Sequence, residues 1–243
     1  MCFHTSQTKK VKELKNTYKI DISDPALVDY FDKPRYHMNG FSHPNMLVIP
    51  QEKSDVLAPG VWGIVPNNKS KDDIKSYYKE AVKYGAGLNA QSEKLFNHFI
   101  YRDSIMEKRC VIPVTGFFEP HEYEKKKYPF HIKDSKDGVL SLAGIYTVID
   151  TFITFTILTK KASLLFQKIH NLRKRQPVLL SQEDAHNWLS VDLNQNDITE
   201  IVNANYKDET LSAYTVSKDL FNPKIDSDIN SILDEVQYEG VSI

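Results

Sequence analysis

Phe152-Ile153-Thr154-Phe155-Thr156-Ile157-Leu158-Thr159 sets Phe155 and Ile157 between the threonines Thr154 and Thr156. A period of two in β-branched and aromatic residues predicts a half-buried strand. Val148-Ile149-Asp150-Thr151, just before it, reads as the turn of a hairpin from a strand over 138–148. Working outward, strands are expected at 109–114, 128–133 and 177–180, and upstream at 45–50 and 57–65. Helices are expected at 7–17, 24–32, 67–83, 92–101, 163–169 and 181–189, the last opened by Ser181 with Glu183 and Asp184 in its first turn. The elements do not alternate strand and helix regularly, and no glycine-rich phosphate loop occurs. The fold class that follows is α+β: a single domain with a mainly antiparallel twisted sheet or open barrel and surrounding helices.

The chain has 243 residues, with 31 Lys+Arg against 32 Asp+Glu and 41% hydrophobic residues. That composition supports a packed core and excludes a globally basic chromatin protein or a disordered acidic one. The two cysteines, Cys2 and Cys110, exclude a disulfide scaffold and a four-cysteine zinc site. The histidines show no metal-ligand spacing, so neither a metal nor a cofactor is assigned. No apolar run approaches the roughly 20 residues that span a bilayer. Met1-Cys2-Phe3-His4-Thr5-Ser6 has neither the apolar core nor the cleavage site of a secretory signal. The expectation is a cytoplasmic monomer without a membrane association.

Charge is unevenly placed. Residues 151–182 contain no acid but six cations: Lys160, Lys161, Lys168, Arg173, Lys174 and Arg175. Such a segment reads either as a phosphate-binding strip or as a solvated surface. From Lys218 onward, six acids face only Lys218 and Lys224. The expected organisation is therefore a domain over 1–220 and an acidic tail over 221–243 that packs on it or trails it.

Cys2 follows the initiator methionine. A cysteine is small enough for methionine aminopeptidases to remove Met1, which would leave an α-amine and a thiol on adjacent carbons. The amine (unperturbed pKa about 7.7–8.0) condenses with an aldehyde to an imine, and the thiol then closes a thiazolidine ring. The same pair can act as an N-terminal nucleophile with its own amine as base. The plain alternative is an accidental cysteine in a disordered terminus.

Other clusters carry similar alternatives. Glu119, after Val111-Ile112-Pro113-Val114 and Gly116-Phe117-Phe118, is either a carboxylate in a low-dielectric cleft suited to proton transfer or a solvent-facing strand end. His170 is an acid–base group or a helix cap. Asn89, after the turn Gly85-Ala86-Gly87, orients a polar substrate group or is an ordinary amide. Trp62 stacks on a base or fills the core. Cys110 reads as a buried small hydrophobe.

Taken in order, these clusters resemble the SOS response-associated peptidase (SRAP) family, whose members are also described as abasic site processing proteins. The matching stretches are Met1-Cys2, Trp62-Gly63-Ile64-Val65-Pro66, Asn89-Ala90-x-x-Glu93 and Arg109-Cys110-x-x-Pro113-x-x-Gly116-Phe117-Phe118-Glu119. Ala143-Gly144-Ile145-Tyr146, Ile169-His170-Asn171, Arg175-x-Pro177 and Ala213-Tyr214-x-Val216-Ser217 follow. The resemblance implies recognition of abasic sites in single-stranded DNA in the DNA damage response, with the protein drawn to the nucleoid on damage. It implies a covalent thiazolidine crosslink from Cys2 that shields the lesion, and possible lyase activity. Cys2, Asn89, Glu119 and His170 would form the catalytic set, with Trp62, His4, Gln91, Arg173, Lys174 and Arg175 at DNA-contacting positions. The alternative it implies is a cysteine-type (auto)peptidase.

Three departures stand out. The family usually begins Cys-Gly-Arg, where this chain has Cys2-Phe3-His4. The arginine of Asn-Ala-Arg-Ser-Glu is Gln91 here. Leu172-Arg173-Lys174 is extra between His170 and Arg175. Two phosphate-binding arginines are thus replaced, and Arg173 and Lys174 are positioned in sequence to compensate.

Overall fold

The computed structural model describes residues 2–241 and 243. Its strands in chain order are β1 (His4–Gln7), β2 (Asp21–Ile22), β3 (Arg35–Asn39), β4 (Asn45–Pro50), β5 (Val56–Trp62), β6 (Asn89–Gln91) and β7 (Arg109–Val114). They continue with β8 (Gly116–Tyr123), β9 (Lys126–Asp134), β10 (Leu140–Ile149), β11 (Phe152–Lys161), β12 (Arg175–Pro177), β13 (Leu179–Leu180) and β14 (Leu211–Thr215). The helices are α1 (Val11–Tyr18), α2 (Val28–Phe31), α3 (Ile74–Ala81), α4 (Tyr101–Glu107), α5 (Leu164–Ile169), α6 (Gln182–Trp188) and α7 (Gln195–Asn203).

One sheet has the order β14-β9-β8-β1-β3. The other runs β11-β10-β7-β4-β5, and β5 returns to pair in parallel with β11, closing a five-stranded barrel. The predicted hairpin is present, with Ile149 opposite Phe152 and Asp150 in the left-handed region at φ 55°. Closure also corrects the half-buried reading of β11. Thr154 and Thr156 are as buried as Phe155 and Ile157, because the sheet is covered on both faces. The Thr154 hydroxyl oxygen accepts from the Val65 N–H at 3.0 Å and lies 2.8 Å from the Thr147 hydroxyl, which satisfies it away from water.

The period of two sorts each barrel strand between two cores. Val48, Cys110, Ile112, Phe155 and Ile157 face a cluster shared with Phe117 and Ile132 of the other sheet. Leu47, Ile49, Val111, Ile145 and Leu158 face a second cluster with Leu14, Trp188 and Ile198 of α1, α6 and α7. Gly144 is required where the strands crowd, since a Cβ there would meet Ile112 Cδ1 and lie 2.8 Å from the Thr156 carbonyl oxygen.

Three expected helices differ, the one over 67–83 beginning only at Lys71 as a 3-10 turn that leads into α3. Residues 92–101 form a 3-10 turn at Ser92–Lys94 and reach α4 only at Tyr101, because Leu95 and Ile105 insert separately into the second core. The helix expected from residue 7 begins at Val11, since β1 occupies His4–Gln7. The chain beyond Phe221 returns to β3 and β14. Asp228 accepts from Arg35 Nε at 2.6 Å and from the Tyr36 N–H at 2.7 Å, and the Val236 N–H donates to the Thr215 carbonyl. No helix of the described residues is long and apolar enough to cross a membrane.

Candidate active site

β1 is four residues long but runs between β3 and β8, with His4 opposite both Asn39 and Phe118. A strand with a neighbour on each edge walls the residues that lead into it on both sides. Cys2 is accordingly fully buried, in the cluster that holds Trp62, Leu88 and Cys110. Its thiol donates to the His4 carbonyl at 3.8 Å, a long sulfur contact. Burial, and then the negative charge of Glu119, push the thiol well above its usual pKa.

Glu119 lies inside β8 rather than at a solvent-facing strand end, and its side chain is fully buried. The strand can start at Gly116 only with glycine, because a Cβ would run into His131 Nε2. His170 terminates α5 and is also buried. Its Nδ1 lies 3.1 Å from Glu119 Oε2 and 3.2 Å from the Arg175 carbonyl oxygen. A carbonyl can only accept, so in this geometry Nδ1 carries the hydrogen.

Asn89 opens β6, paired in parallel with Ile157 of β11. Its Oδ1 and Nδ2 are buried with no hydrogen-bond partner among the described residues. Unsatisfied buried polar groups cost about 1–3 kcal/mol each and persist where a ligand completes them. The Trp62 indole N–H donates to the Leu88 carbonyl at 2.9 Å and so braces the residue before Asn89. Trp62 itself is fully buried, and neither ring face is open to a base.

Phe3, His4 and His170 line a cleft of about 1080 Å³. Lys83, Lys127, Arg173 and Lys218 line it as well, with Glu122 as its acid. The Lys218 ammonium is held 3.9 Å from the centre of the Tyr128 ring and 4.8 Å from that of Tyr238. Two rings fix this flexible side chain in place.

The six-cation segment is not one surface. Arg173 lines the cleft, and Lys174 is exposed, held at φ 49° by its N–H bond to the His170 carbonyl. Lys160 and Lys161 line a separate cavity of about 490 Å³ beside Ile198 and Val202. Arg175 clasps Glu93 through both carboxylate oxygens at 2.6 and 3.1 Å and donates to the Thr159 carbonyl at 2.7 Å. Gln91 is half-buried at the end of β6. His4 Nδ1 is 2.9 Å from His37 Nε2, and His37 Nδ1 is 2.6 Å from Ser227 Oγ. Burial, and then the neighbouring His37, lower His4 to about 3. At neutral pH it therefore presents a dipole to the cleft rather than a charge.

Residues that sequence reasoning missed are Lys83, Tyr84, Lys127 and Lys218, all on the cleft wall. Lys127 and Lys218 carry no sequence signal, being ordinary lysines until the fold gathers them. Tyr84 had one, since it immediately precedes the turn Gly85-Ala86-Gly87. All three turn residues have positive φ, at 91°, 54° and 67°.

The abasic site processing protein YoqW of Bacillus subtilis (strain 168) is 28% identical over 216 residues, covering 83% of this chain and 91% of its own. YobE of the same organism, also named an abasic site processing protein, is 27% identical over 214 residues, 82% of this chain and 92% of its own. A crystal structure of a protein from Bacteroides thetaiotaomicron superposes with a TM-score of 0.84 at 26% identity, covering 97% of this chain and all of that one. The profile of the SOS response associated peptidase family matches residues 1–223. With that match over most of its length, this chain belongs to the SOS response associated peptidase (SRAP) family.

Proposed function

We propose that this protein handles abasic sites in single-stranded DNA by forming a covalent crosslink through Cys2. The observation that carries the reading is a buried Cys2 that feels the charge of Glu119, itself paired with a His170 that lines a cleft bearing four cations. With Met1 removed, the Cys2 amine attacks the aldehyde of the ring-opened sugar, and loss of water leaves an imine. The thiol adds to the imine carbon, forming the C–S bond, while its proton passes to the nitrogen and completes the thiazolidine. Each step moves a proton in a site shielded from bulk solvent, and Glu119 is the base and acid for those transfers. His170, sharing its Nδ1 hydrogen with Glu119, holds that carboxylate in line and assists ring opening. The unpaired amide of Asn89 orients the amine or the sugar hydroxyl.

In this reading Arg173, Lys174 and His4 contact the strand directly, His4 as a neutral donor or acceptor. Gln91 and Arg175 act from the wall, since the Arg175 guanidinium is engaged by Glu93. Trp62 acts from behind, through the Leu88–Asn89 backbone.

The test is incubation with a single-stranded oligonucleotide carrying one abasic site, read as a slow-migrating band on a denaturing gel. Cys2→Ala should abolish the band and keep noncovalent binding. A wild-type protein that has lost Met1 and yields no adduct overturns the proposal, and turnover of peptides in its place would establish the peptidase alternative.

A further inference from the structure

The cleft carries two large apolar side chains that its chemistry at Cys2 does not use. Tyr84 is 83% exposed and Leu172 is 58% exposed, and both line the cavity that His170 opens into. Neither is a loose surface residue. Tyr84 ends a 3-10 turn over Val82–Tyr84, and the Gly85 N–H donates to the Val82 carbonyl at 3.1 Å. The next residues are anchored by Ala86 N–H to the Ala81 carbonyl at 2.8 Å and by burial of Ala86 and Leu88. Leu172 lies in a turn closed by the Lys174 N–H on the His170 carbonyl at 2.9 Å. Both turns are thus closed by backbone hydrogen bonds and hold an apolar side chain in water, at a direct cost in hydration.

The surroundings state what would cover them. Lys83, Lys127, Arg173 and Lys218 share the same wall, and the Lys83 ammonium sits 5.0 Å from the Tyr84 ring centre. An aromatic face set among cations fits a ligand that is flat and apolar on its faces and anionic along one edge, which describes a nucleotide strand. An apolar peptide would leave those cations unpaired.

We infer that Tyr84 and Leu172 form a pincer that takes the nucleobase next to the abasic gap, Tyr84 by stacking and Leu172 by apolar contact. The inference rests on the proposed abasic-site reading for the identity of the strand. It also explains how the chain holds DNA although His4 and Gln91 stand where arginines are expected. Stacking is worth about 1–3 kcal/mol per base, or roughly 5- to 150-fold in affinity, and it does not depend on counterion release. Part of the grip has moved from charge to stacking, and Leu172 comes from the extra turn beside His170.

The experiment uses the full chain and an oligonucleotide with a tetrahydrofuran abasic analogue, which has no aldehyde and cannot crosslink. 2-Aminopurine is placed on one flank or the other, and binding is followed by fluorescence and anisotropy across a salt series. Wild type should quench one flank. Tyr84→Ala should lose that quench and weaken binding by about 5- to 150-fold, with the slope of log K against log salt unchanged. Tyr84→Phe should restore both, and Leu172→Ala should weaken binding by a smaller factor. Equal quench and affinity in wild type and Tyr84→Ala would overturn the inference, as would a loss in Tyr84→Ala that Tyr84→Phe does not recover. Quenching that persists while wild type forms no adduct with a true abasic site would sink the crosslinking proposal and leave this inference standing.

Discussion

Replacing Glu119 by Gln separates the two things that a buried carboxylate does to Cys2. The side chain keeps its shape, so the strand and the contact with His170 are retained, while its charge and its proton-accepting capacity are lost. Glu119 is fully buried, so bulk solvent does not reach it to take over the transfer. General acid–base catalysis contributes about 100- to 10,000-fold, equivalent to roughly 3–5.5 kcal/mol of barrier. One effect opposes this loss. The Glu119 charge is the second cause of the raised thiol pKa, after burial. Glutamine removes that cause, lowers the thiol pKa and increases the thiolate available for ring closure. The net fall in crosslinking rate near neutral pH should therefore sit at the low end, about 100-fold. Two assays run together test this: single-turnover crosslinking on a denaturing gel, and site-resolved alkylation of the native protein by iodoacetamide against pH. Crosslinking should slow while alkylation of Cys2 speeds up. Cys110, whose pKa is raised by burial alone, serves as the internal control and should not change. An unchanged crosslinking rate would remove Glu119 from proton transfer. A Cys2 alkylation profile identical to wild type would refute the electrostatic coupling.

Other consequences concern the cations and histidines. Arg109 is fully buried and donates to the carbonyls of Ile105, Met106, Trp188 and Ser190, tying the ends of α4 and α6 to β7. Arg109→Met should leave those acceptors unpaired, at about 1–3 kcal/mol for each one that stays unsatisfied, measured by urea denaturation; a total loss under about 1 kcal/mol would show that water replaces the guanidinium. Lys218→Ala should weaken binding to single-stranded DNA uniformly across sequences and flatten the salt slope by about 0.7, the loss of one phosphate contact. An unchanged slope would place Lys218 off the DNA path. Burial lowers His4 to about 3 and His37 to about 4, while the unfolded chain titrates near 6.5. Below about pH 6.5 the unfolded state binds more protons, so stability present at pH 7 drains away as pH falls toward the folded values. His4→Gln should flatten stability against pH between 4 and 6 by about 1.4 kcal/mol per pH unit. Parallel curves for variant and wild type would mean that His4 is solvated in the fold.

Local patterns were read correctly where a segment meets one environment along its length. Asn45–Pro50 and Arg109–Val114 have the predicted bounds because their period of two and their flanking breakers act over adjacent residues. β1 and β8 were missed for the opposite reason. His4–Gln7 is polar for a strand, and it is held there by partners 28 and more residues away, Arg35–Asn39 and Gly116–Phe118. The basic segment misled in the same way. Lys160, Arg173 and Arg175 are neighbours in sequence, but the turn after His170 sends them to a second cavity, the cleft and an ion pair.

The amino-acid sequence by itself determined the α+β class, the aminothiol potential of Cys2 and the identity of the groups that could serve it. Those follow from composition, from periodicity and from the chemistry of single residues or short motifs. The tertiary structure alone decided which of these groups meet. Closure of the barrel between β5 and β11 buries the threonine face of β11. Insertion of β1 between β3 and β8 brings Cys2 under the charge of Glu119, and the end of α5 sets His170 against that carboxylate. The physical reason is range. Alternation and capping act over a few residues, whereas desolvation and charge coupling at Cys2 depend on groups more than 100 residues along the chain.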